Sequence, residues 1–258
     1  MSSPLHVVKF DESNFSVRVL DWDSRVLGLS VGRIEDIADA AGVSHSYEYS
    51  GLTAHMKSMG LEYVTVRRPI GEWSRLRGLE SAGFRIVDGI LSFTKSLEGT
   101  AHESKARLSR PTDVDAVAAL AISTFSKSRF HNDGVIAKEA ADRLHGEWAR
   151  NSCAGIVAKA VLVVDDGANL GGFITCKVSR TNGSIDLIGV APSSAGKGIG
   201  RSLVASACDW FAKAGCKEVQ VQTQIDNHAA IRLYFGAGFT PNASYVTLRW
   251  TTRQEISR

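Results

Sequence analysis

The 258-residue chain has little that would commit it to a metal, a membrane or a polyanion. Its four cysteines, Cys153, Cys176, Cys208 and Cys216, form no CxxC pair and have no histidine at ligand spacing. That removes the signatures of a zinc site and of a disulfide framework, and leaves small buried thiols in a reducing compartment. The 30 Lys and Arg against 27 Asp and Glu give a net charge of only +3. So balanced a composition argues against nucleic acid or an anionic membrane as the main partner. No apolar run reaches the roughly 18 residues of a membrane span, and Met1 to Phe10 has no signal-peptide core. A soluble, cytoplasmic protein is expected.

The stretch Ile188-Gly189-Val190-Ala191-Pro192-Ser193-Ser194-Ala195-Gly196-Lys197-Gly198-Ile199-Gly200-Arg201 reads as a strand, a glycine-rich turn and the first turn of a helix. Neither the GxxxxGK[ST] spacing of a Walker loop nor the GxGxxG of a dinucleotide fingerprint is present in it. Gly196, Gly198 and Gly200 strip side chains from the turn, so several backbone N–H groups can converge on one anion. The helix that follows adds unsatisfied N–H groups and the positive end of its dipole. This is the chemistry of a pyrophosphate cradle.

Downstream, Ile199, Leu203, Ala207, Trp210, Phe211 and Ala214 recur at helical spacing, and Gly215 supplies a C-terminal stop. Val219, Val221, Thr223 and Ile225 then alternate with Glu218, Gln220, Gln222 and Gln224, the period of a half-buried strand. A second helix opens at Asn227, a good N-cap, and ends at Gly236 and Gly238. Tyr234 stands seven residues after Asn227, which places the two on one helical face. An α/β fold with a mixed sheet follows from this alternation.

A faint repeat runs through the chain at a constant spacing of 155 residues. Gly60-Leu61-Glu62-Tyr63-Val64-Thr65-Val66 matches Gly215-Cys216-Lys217-Glu218-Val219-Gln220-Val221, and Ser81-Ala82-Gly83-Phe84 matches Gly236-Ala237-Gly238-Phe239. Ile90 to Phe93 echo Tyr245 to Leu248 as a final apolar strand. In the first copy the cradle glycines become Ala41 to His45, and Asn227 and Tyr234 become Glu72 and Leu79. One active site is therefore expected, in the second copy. Polar residues from Leu97 to Lys105 read as a linker, giving domains 1–97 and 106–258. The second domain opens with a strand at Arg107 and a capped helix carrying Val117, Leu120, Ala121 and Phe125.

The cradle resembles the acetyl-CoA loop of the GNAT superfamily of N-acetyltransferases, [R/Q]xxGx[G/A] preceded by V-x-P, with Ala195 in the Arg/Gln place. The segment from Asn227 to Phe239 is similar to the family ending N-x-x-A-x-x-x-Y-x-x-x-G-F. Leu20 to Gly28, Leu79 to Gly89 and Phe125 to His131 further resemble the branch that acetylates dTDP-4-amino-4,6-dideoxyhexoses. The resemblance implies a GNAT fold with a smaller, degenerate GNAT-like N-terminal domain, and acetyl-CoA as cosubstrate with no metal. It also implies direct acetyl transfer to an amine through a tetrahedral intermediate. Ile188 and Val190 would pair with pantetheine, with the Val190 N–H on the thioester carbonyl. Gly196, Lys197, Gly198, Ile199, Gly200 and Arg201 would hold the pyrophosphate, Asn227 would contact pantetheine, and Tyr234 would be the general acid.

Arg129, Phe130 and His131 would bind the acceptor: charge for phosphate, an aromatic ring for base or sugar. Asp186, His131, Asp133 and Glu147 are candidate bases. The acceptor implied is a small-molecule amine, a nucleotide-linked amino sugar. Other readings are another small amine, a protein N-terminus, or a non-catalytic CoA-binding regulatory module. A homodimer is left open.

Overall fold

The computed structural model describes residues 5–10, 13–38, 48–97, 105–126 and 128–254. The elements in chain order are β1 (Leu5–Phe10), β2 (Ser13–Val19), α1 (Asp21–Leu27), β3 (Val31–Ala38), α2 (Glu48–Ser58), β4 (Tyr63–Pro69), α3 (Trp73–Ser81) and β5 (Arg85–Ser96). They continue with β6 (Arg107–Leu108), α4 (Val114–Thr124), α5 (Arg129–Asn132), α6 (Lys138–Cys153), β7 (Ala160–Asp166), β8 (Asn169–Ser179) and β9 (Asn182–Val190). The last four are α7 (Ile199–Lys213), β10 (Glu218–Gln224), α8 (His228–Gly236) and β11 (Thr240–Thr251). No described helix is long and apolar enough to cross a membrane. The four cysteines are free thiols.

The element bounds carry the 155-residue spacing. It takes β4 onto β10, α3 onto α8 and β5 onto β11 at both ends, and the end of α2 onto the end of α7. The helix stops recur as well. Gly60, Gly83, Gly215 and Gly238 all take positive φ, between 70° and 91°, where glycine alone pays no Cβ penalty. After each, the next residue's N–H returns to the helix: Leu61 to Met56 O, Phe84 to Leu79 O, Cys216 to Phe211 O and Phe239 to Tyr234 O, all at 2.9–3.0 Å.

The chain forms two compact units. One holds Met1–Ile90, Arg129–Ala141 and Ser244–Arg258; the other holds Leu91–Ser128 and Asp142–Ala243. They do not follow the expected boundaries 1–97 and 106–258. The central residues of the expected linker, 98–104, lie outside the described residues, as do Ala41 to His45.

In the first unit the strand order is β1-β2-β3-β4-β11. Only β3 and β4 are parallel, joined through α2; β11 pairs antiparallel with β4, from Tyr245 on Pro69 to Thr251 on Tyr63. One face of this sheet is apolar: Ile34, Val64, Val66, Val246, Leu248 and Trp250 pack with Leu52, Met56, Leu76 and Leu79 of the helices. Strand β11 thus completes the core of the N-terminal unit. Simple repetition would pair β4 with β5 and β10 with β11.

In the second unit the order is β5-β10-β9-β8-β7-β6, with β9 and β10 parallel and connected through α7. Alternate residues of β7 and β8 serve two cores. Leu162, Ile174 and Cys176 join Leu203, Val204, Ala207 and Phe211 of α7. Val161, Val163 and Phe173 join Val117, Leu120 and Ala121 of α4. Asp113 closes the turn before α4 by accepting from Arg107 and from the Arg110 N–H. Strand β10 ends at Gln224, and Ile225, expected as its last apolar residue, is exposed.

Leu248→Ala tests the exchanged strand. Leu248 is fully buried in the first unit, and removing such a side chain costs about 2–5 kcal/mol. Urea unfolding should show a loss in that range, with amide exchange protection falling in β4; a loss below about 1 kcal/mol would make β11 peripheral to that core.

Candidate active site

In the second unit the parallel pairing of β9 with β10 runs from Asn182/Glu218 to Ile185/Val221 and stops there, although β9 continues to Val190 and β10 to Gln224. The cause lies on the other edge of β9. Against β8, Cys176 pairs with Ile185 but Ile174 pairs with Ile188, so Asp186 and Leu187 together oppose Thr175. Such a bulge bends and twists the strand that carries it. Thr175 is buried, and its hydroxyl satisfies the displaced backbone, accepting from the Leu187 N–H at 2.9 Å.

Beyond the bulge the N–H directions alternate. Those of Leu187 and Ala191 point towards β8, the second reaching Gly171 O at 2.9 Å. Alternation therefore turns the N–H groups of Ile188 and Val190 to the edge that β10 has left. These are the two residues that the sequence singles out on this strand.

After Val190 a 3-10 turn, Pro192–Ser194, leads to Gly196 and Gly198, at φ +78° and +79°. A Cβ on either would meet no atom within 4 Å, so the space over this loop is open. Gly200 differs. It lies in the first turn of α7, where a Cβ would come within 3.3 Å of Leu233, so its smallness serves the approach of α7 to α8. Ser202 N–H makes the first bond of α7, to Gly198 O. Among the described residues the N–H groups of Gly196, Gly198, Ile199, Gly200 and Arg201 meet no acceptor, a concentration of donors at a helix start that suits an anion.

Lys197 is engaged. Its Nζ donates to Asp166 Oδ2 at 2.6 Å, and Ser194 Oγ donates to the same oxygen at 2.6 Å. Lys197 first, then Ser194, hold the Asp166 carboxyl below its ordinary range. These contacts tie the start and the middle of the glycine loop to the end of β7. Asp166 and Ser194 were not among the residues read from sequence; Asp166-Gly167 carried only a turn signal. Arg201 is exposed.

Asn227 is the N-cap of α8, with Oδ1 accepting from the Ala230 N–H at 3.2 Å. The helix begins at His228, so Asn227 lies outside the periodicity that aligns it with Tyr234. It is exposed, whereas Tyr234 is 1% exposed. The Tyr234 ring sits between Phe93 and Phe239, at centroid distances of 5.7 and 5.8 Å. Its hydroxyl has no hydrogen-bond partner among the described residues. Burial raises the phenol above its ordinary value, so it is a committed donor at neutral pH.

The expected acceptor residues lie in α5, which belongs to the first unit. Phe130 and His131 are buried, at 7% and 6% exposure. Arg129 is half-buried, with its guanidinium 3.9 Å above the Phe130 ring. Asp133 is a structural group: its carboxylate accepts from Tyr63 OH at 2.7 Å and lies 3.5 Å from Arg249 Nε. Asp186 and Glu147 are exposed.

Residues 124–239 match the acetyltransferase (GNAT) family. The chain carries a GNAT acetyltransferase domain. Among curated relatives, the spore coat polysaccharide biosynthesis protein SpsD of Bacillus subtilis is 34% identical over 52% of this chain and 46% of its own length. The dTDP-fucosamine acetyltransferase of Escherichia coli O6:H1 is 27% identical over 63% of this chain and 70% of its own. The chain thus spans less than half of the first relative. The GCN5-related N-acetyltransferase from Sphaerobacter thermophilus superposes with a TM-score of 0.65 over 96% of this chain and 82% of that one, at 18% identity. A tandem GNAT protein from the clavulanic acid pathway does so with 0.61 over the same shares, at 12% identity. The fold is the GNAT fold.

Gly198→Asp tests the cradle. Asp tolerates positive φ better than most residues, and its Cβ meets open space, so the GNAT domain should still fold. The carboxylate would stand where an anion must lie, and acetyl-CoA affinity by calorimetry should fall by well over tenfold. Unchanged affinity would overturn the cradle.

Proposed function

We propose that the chain is an acetyl-CoA-dependent N-acetyltransferase whose acceptor is a nucleotide-linked amino sugar of the dTDP-4-amino-4,6-dideoxyhexose type. The observation that carries the first part is the combination in one unit of an unpaired strand edge, a cradle of backbone donors and an unpartnered buried phenol. The named sugar acetyltransferase relative at 27% identity supports the second part.

Acetyl-CoA supplies the acetyl group as an activated thioester. The chain's own groups fit it: the loop over Gly196 to Arg201 would take the pyrophosphate, with Lys197 free to contribute only if it leaves Asp166. The free N–H groups of Ile188 and Val190 would hold the pantetheine arm, and the amide NH₂ of Asn227, whose oxygen is used by the cap, would add a contact. The Val190 N–H would donate to the thioester carbonyl oxygen, where negative charge develops; a preorganised donor of this kind is worth about 10²–10³-fold in rate.

Tyr234 would donate a hydrogen bond from its hydroxyl to the departing sulfur. An ordinary phenol, at about 10, already lies above an ordinary thiol at about 8.5, and burial widens that gap. Full transfer is therefore uphill, and the phenol acts by a hydrogen bond that strengthens as the sulfur gains charge. The acceptor ammonium gives up two protons on becoming the amide nitrogen: one is released to solvent and the other ends on the CoA thiol, so the phenol keeps its own. The N-terminal copy, with no cradle glycines and with Glu72 and Leu79 in place of the cap and phenol, would hold no cofactor. One acetyl-CoA per chain is expected by titration, and two would overturn the single-site reading.

Thiol release from acetyl-CoA with a panel of dTDP-linked amino sugars, other amines and peptides tests the reaction and the acceptor together. Release with none of them, alongside intact acetyl-CoA binding, would favour a regulatory module. Tyr234→Phe keeps the ring between Phe93 and Phe239, so acetyl-CoA affinity should hold while turnover falls about 10²–10⁴-fold. Because the phenol is raised, any alkaline limb due to it lies above pH 10. Turnover within about threefold of the wild type would reject the acid role.

A further inference from the structure

Strand β9 turns its side chains alternately to two cores. Ile188 and Val190 pack against the core that holds Tyr234. Gly189, between them, faces the other way: it pairs with Phe173, which belongs to the core formed with α4. A Cβ on Gly189 would come within 2.7 Å of Phe173 Cε1 and 3.2 Å of Thr124 Oγ1. The residue is not at positive φ, so its smallness serves a close approach. The last turn of α4 rests on the middle of the open edge, and the Thr124 hydroxyl is the polar group it brings there. Thr124 and β9 lie in the same unit.

This hydroxyl has a restricted chemistry. Thr124 Oγ1 donates to Leu120 O at 2.6 Å, which commits its single hydrogen. Towards any further partner it can only accept, and among the described residues it accepts from none. Leu120 O also takes the Ser123 hydroxyl at 3.0 Å, so the helix end does not need the threonine to satisfy that carbonyl. Thr124 is only half-buried. Helix α4 ends at this residue, and the negative end of a helix dipole favours a cation. Phe125, next in the chain, stacks on His145 with centroids 5.1 Å apart and fixes that end.

A lone pair without a spare donor, at a helix C-terminus beside Val190, suits an N–H of an amine. We propose that Thr124 Oγ1 receives an N–H of the acceptor amine and so aims the nitrogen lone pair at the thioester carbon. The assignment rests on the function proposed above. Tyr234 belongs to the core on the opposite face of the sheet, so the amine approaches from the α4 face and the sulfur leaves towards α8. As the C–N bond forms and the C–S bond breaks, one ammonium proton passes to solvent and one ends on the CoA thiol. Thr124 takes neither; it orients the nitrogen.

The test compares the wild-type chain with Thr124→Val, Thr124→Ser and Ser123→Ala, using acetyl-CoA and a dTDP-4-amino-4,6-dideoxyhexose. Thr124→Val keeps the shape and loses the oxygen, so kcat/KM should fall by at least about thirtyfold while acetyl-CoA affinity stays within about twofold. Thr124→Ser should recover activity to within about fivefold, and Ser123→Ala, which removes only the other bond to Leu120 O, should stay within about threefold. Calorimetry on the CoA-loaded chain gives a second readout. The wild type should prefer the amino sugar to its 4-deoxy analogue by about tenfold or more, and Thr124→Val should lose that preference, whereas altered packing weakens both ligands alike.

A kcat/KM of Thr124→Val within about threefold of wild type overturns the contact. Equal losses in Thr124→Val and Thr124→Ser, an unchanged preference for the amine, or failure of Thr124→Val to fold assigns the hydroxyl to structure and overturns it too. Thiol release separates the two readings. If no amino sugar releases thiol from the wild type, the function proposed above fails and the contact with it. If release persists in Thr124→Val, only the contact fails.

Discussion

The hydrogen bond from the Leu187 N–H to the Thr175 hydroxyl holds the bulge on which the open edge of β9 depends. A parallel sheet left to itself would pair β9 and β10 to their ends, consuming every N–H on that edge. The extra residue at Asp186/Leu187 re-aims β9 just where the pairing ceases. Two N–H groups are then left facing outward from a rigid strand. The bulge would be costly if its displaced backbone were buried without a partner; Thr175, on the neighbouring strand, removes that cost.

The same economy of backbone groups shapes the loop that follows. Gly196 and Gly198 take φ values that other residues avoid, and the resulting turn presents donors that no described protein group accepts. Such a loop has little side-chain packing to hold it. The contact of Ser194 and Lys197 with one oxygen of Asp166 supplies the anchorage instead, from the end of β7. Lys197 therefore has a structural partner as well as the charge that would suit a phosphate.

The two copies of the repeat share helix stops and element bounds yet have diverged in how they meet charge. The C-terminal copy offers neutral backbone donors. The N-terminal copy lacks those glycines, and in its sheet Arg18 stands opposite Arg33 across β2 and β3. Its core is completed by β11, so the stability of the N-terminal unit depends on a strand from the second copy of the repeat.

Local order was legible in the sequence. Helix α7, the cap at Asn227, the positive-φ glycines and the 155-residue repeat all follow from spacing and from conformational demands met within a few residues. Ile188 and Val190 are named through the family resemblance; that they lie on a strand edge which β10 has left is seen only in the strand register. Long-range contacts decided the rest. The bulge needs Thr175 on another strand, and Lys197 finds Asp166 about thirty residues away. Phe130 and His131 read as acceptor contacts in the sequence, and only the fold shows that both are buried, in a segment that clusters with the first unit. The sequence by itself determined helices α7 and α8, strand β10 to within a residue, and the positive-φ glycines of the loop before α7, since these are set by backbone conformation over a few residues. Only the tertiary structure decided which strand edge stays open and which strand completes which core, since each depends on partners that the chain meets only when folded.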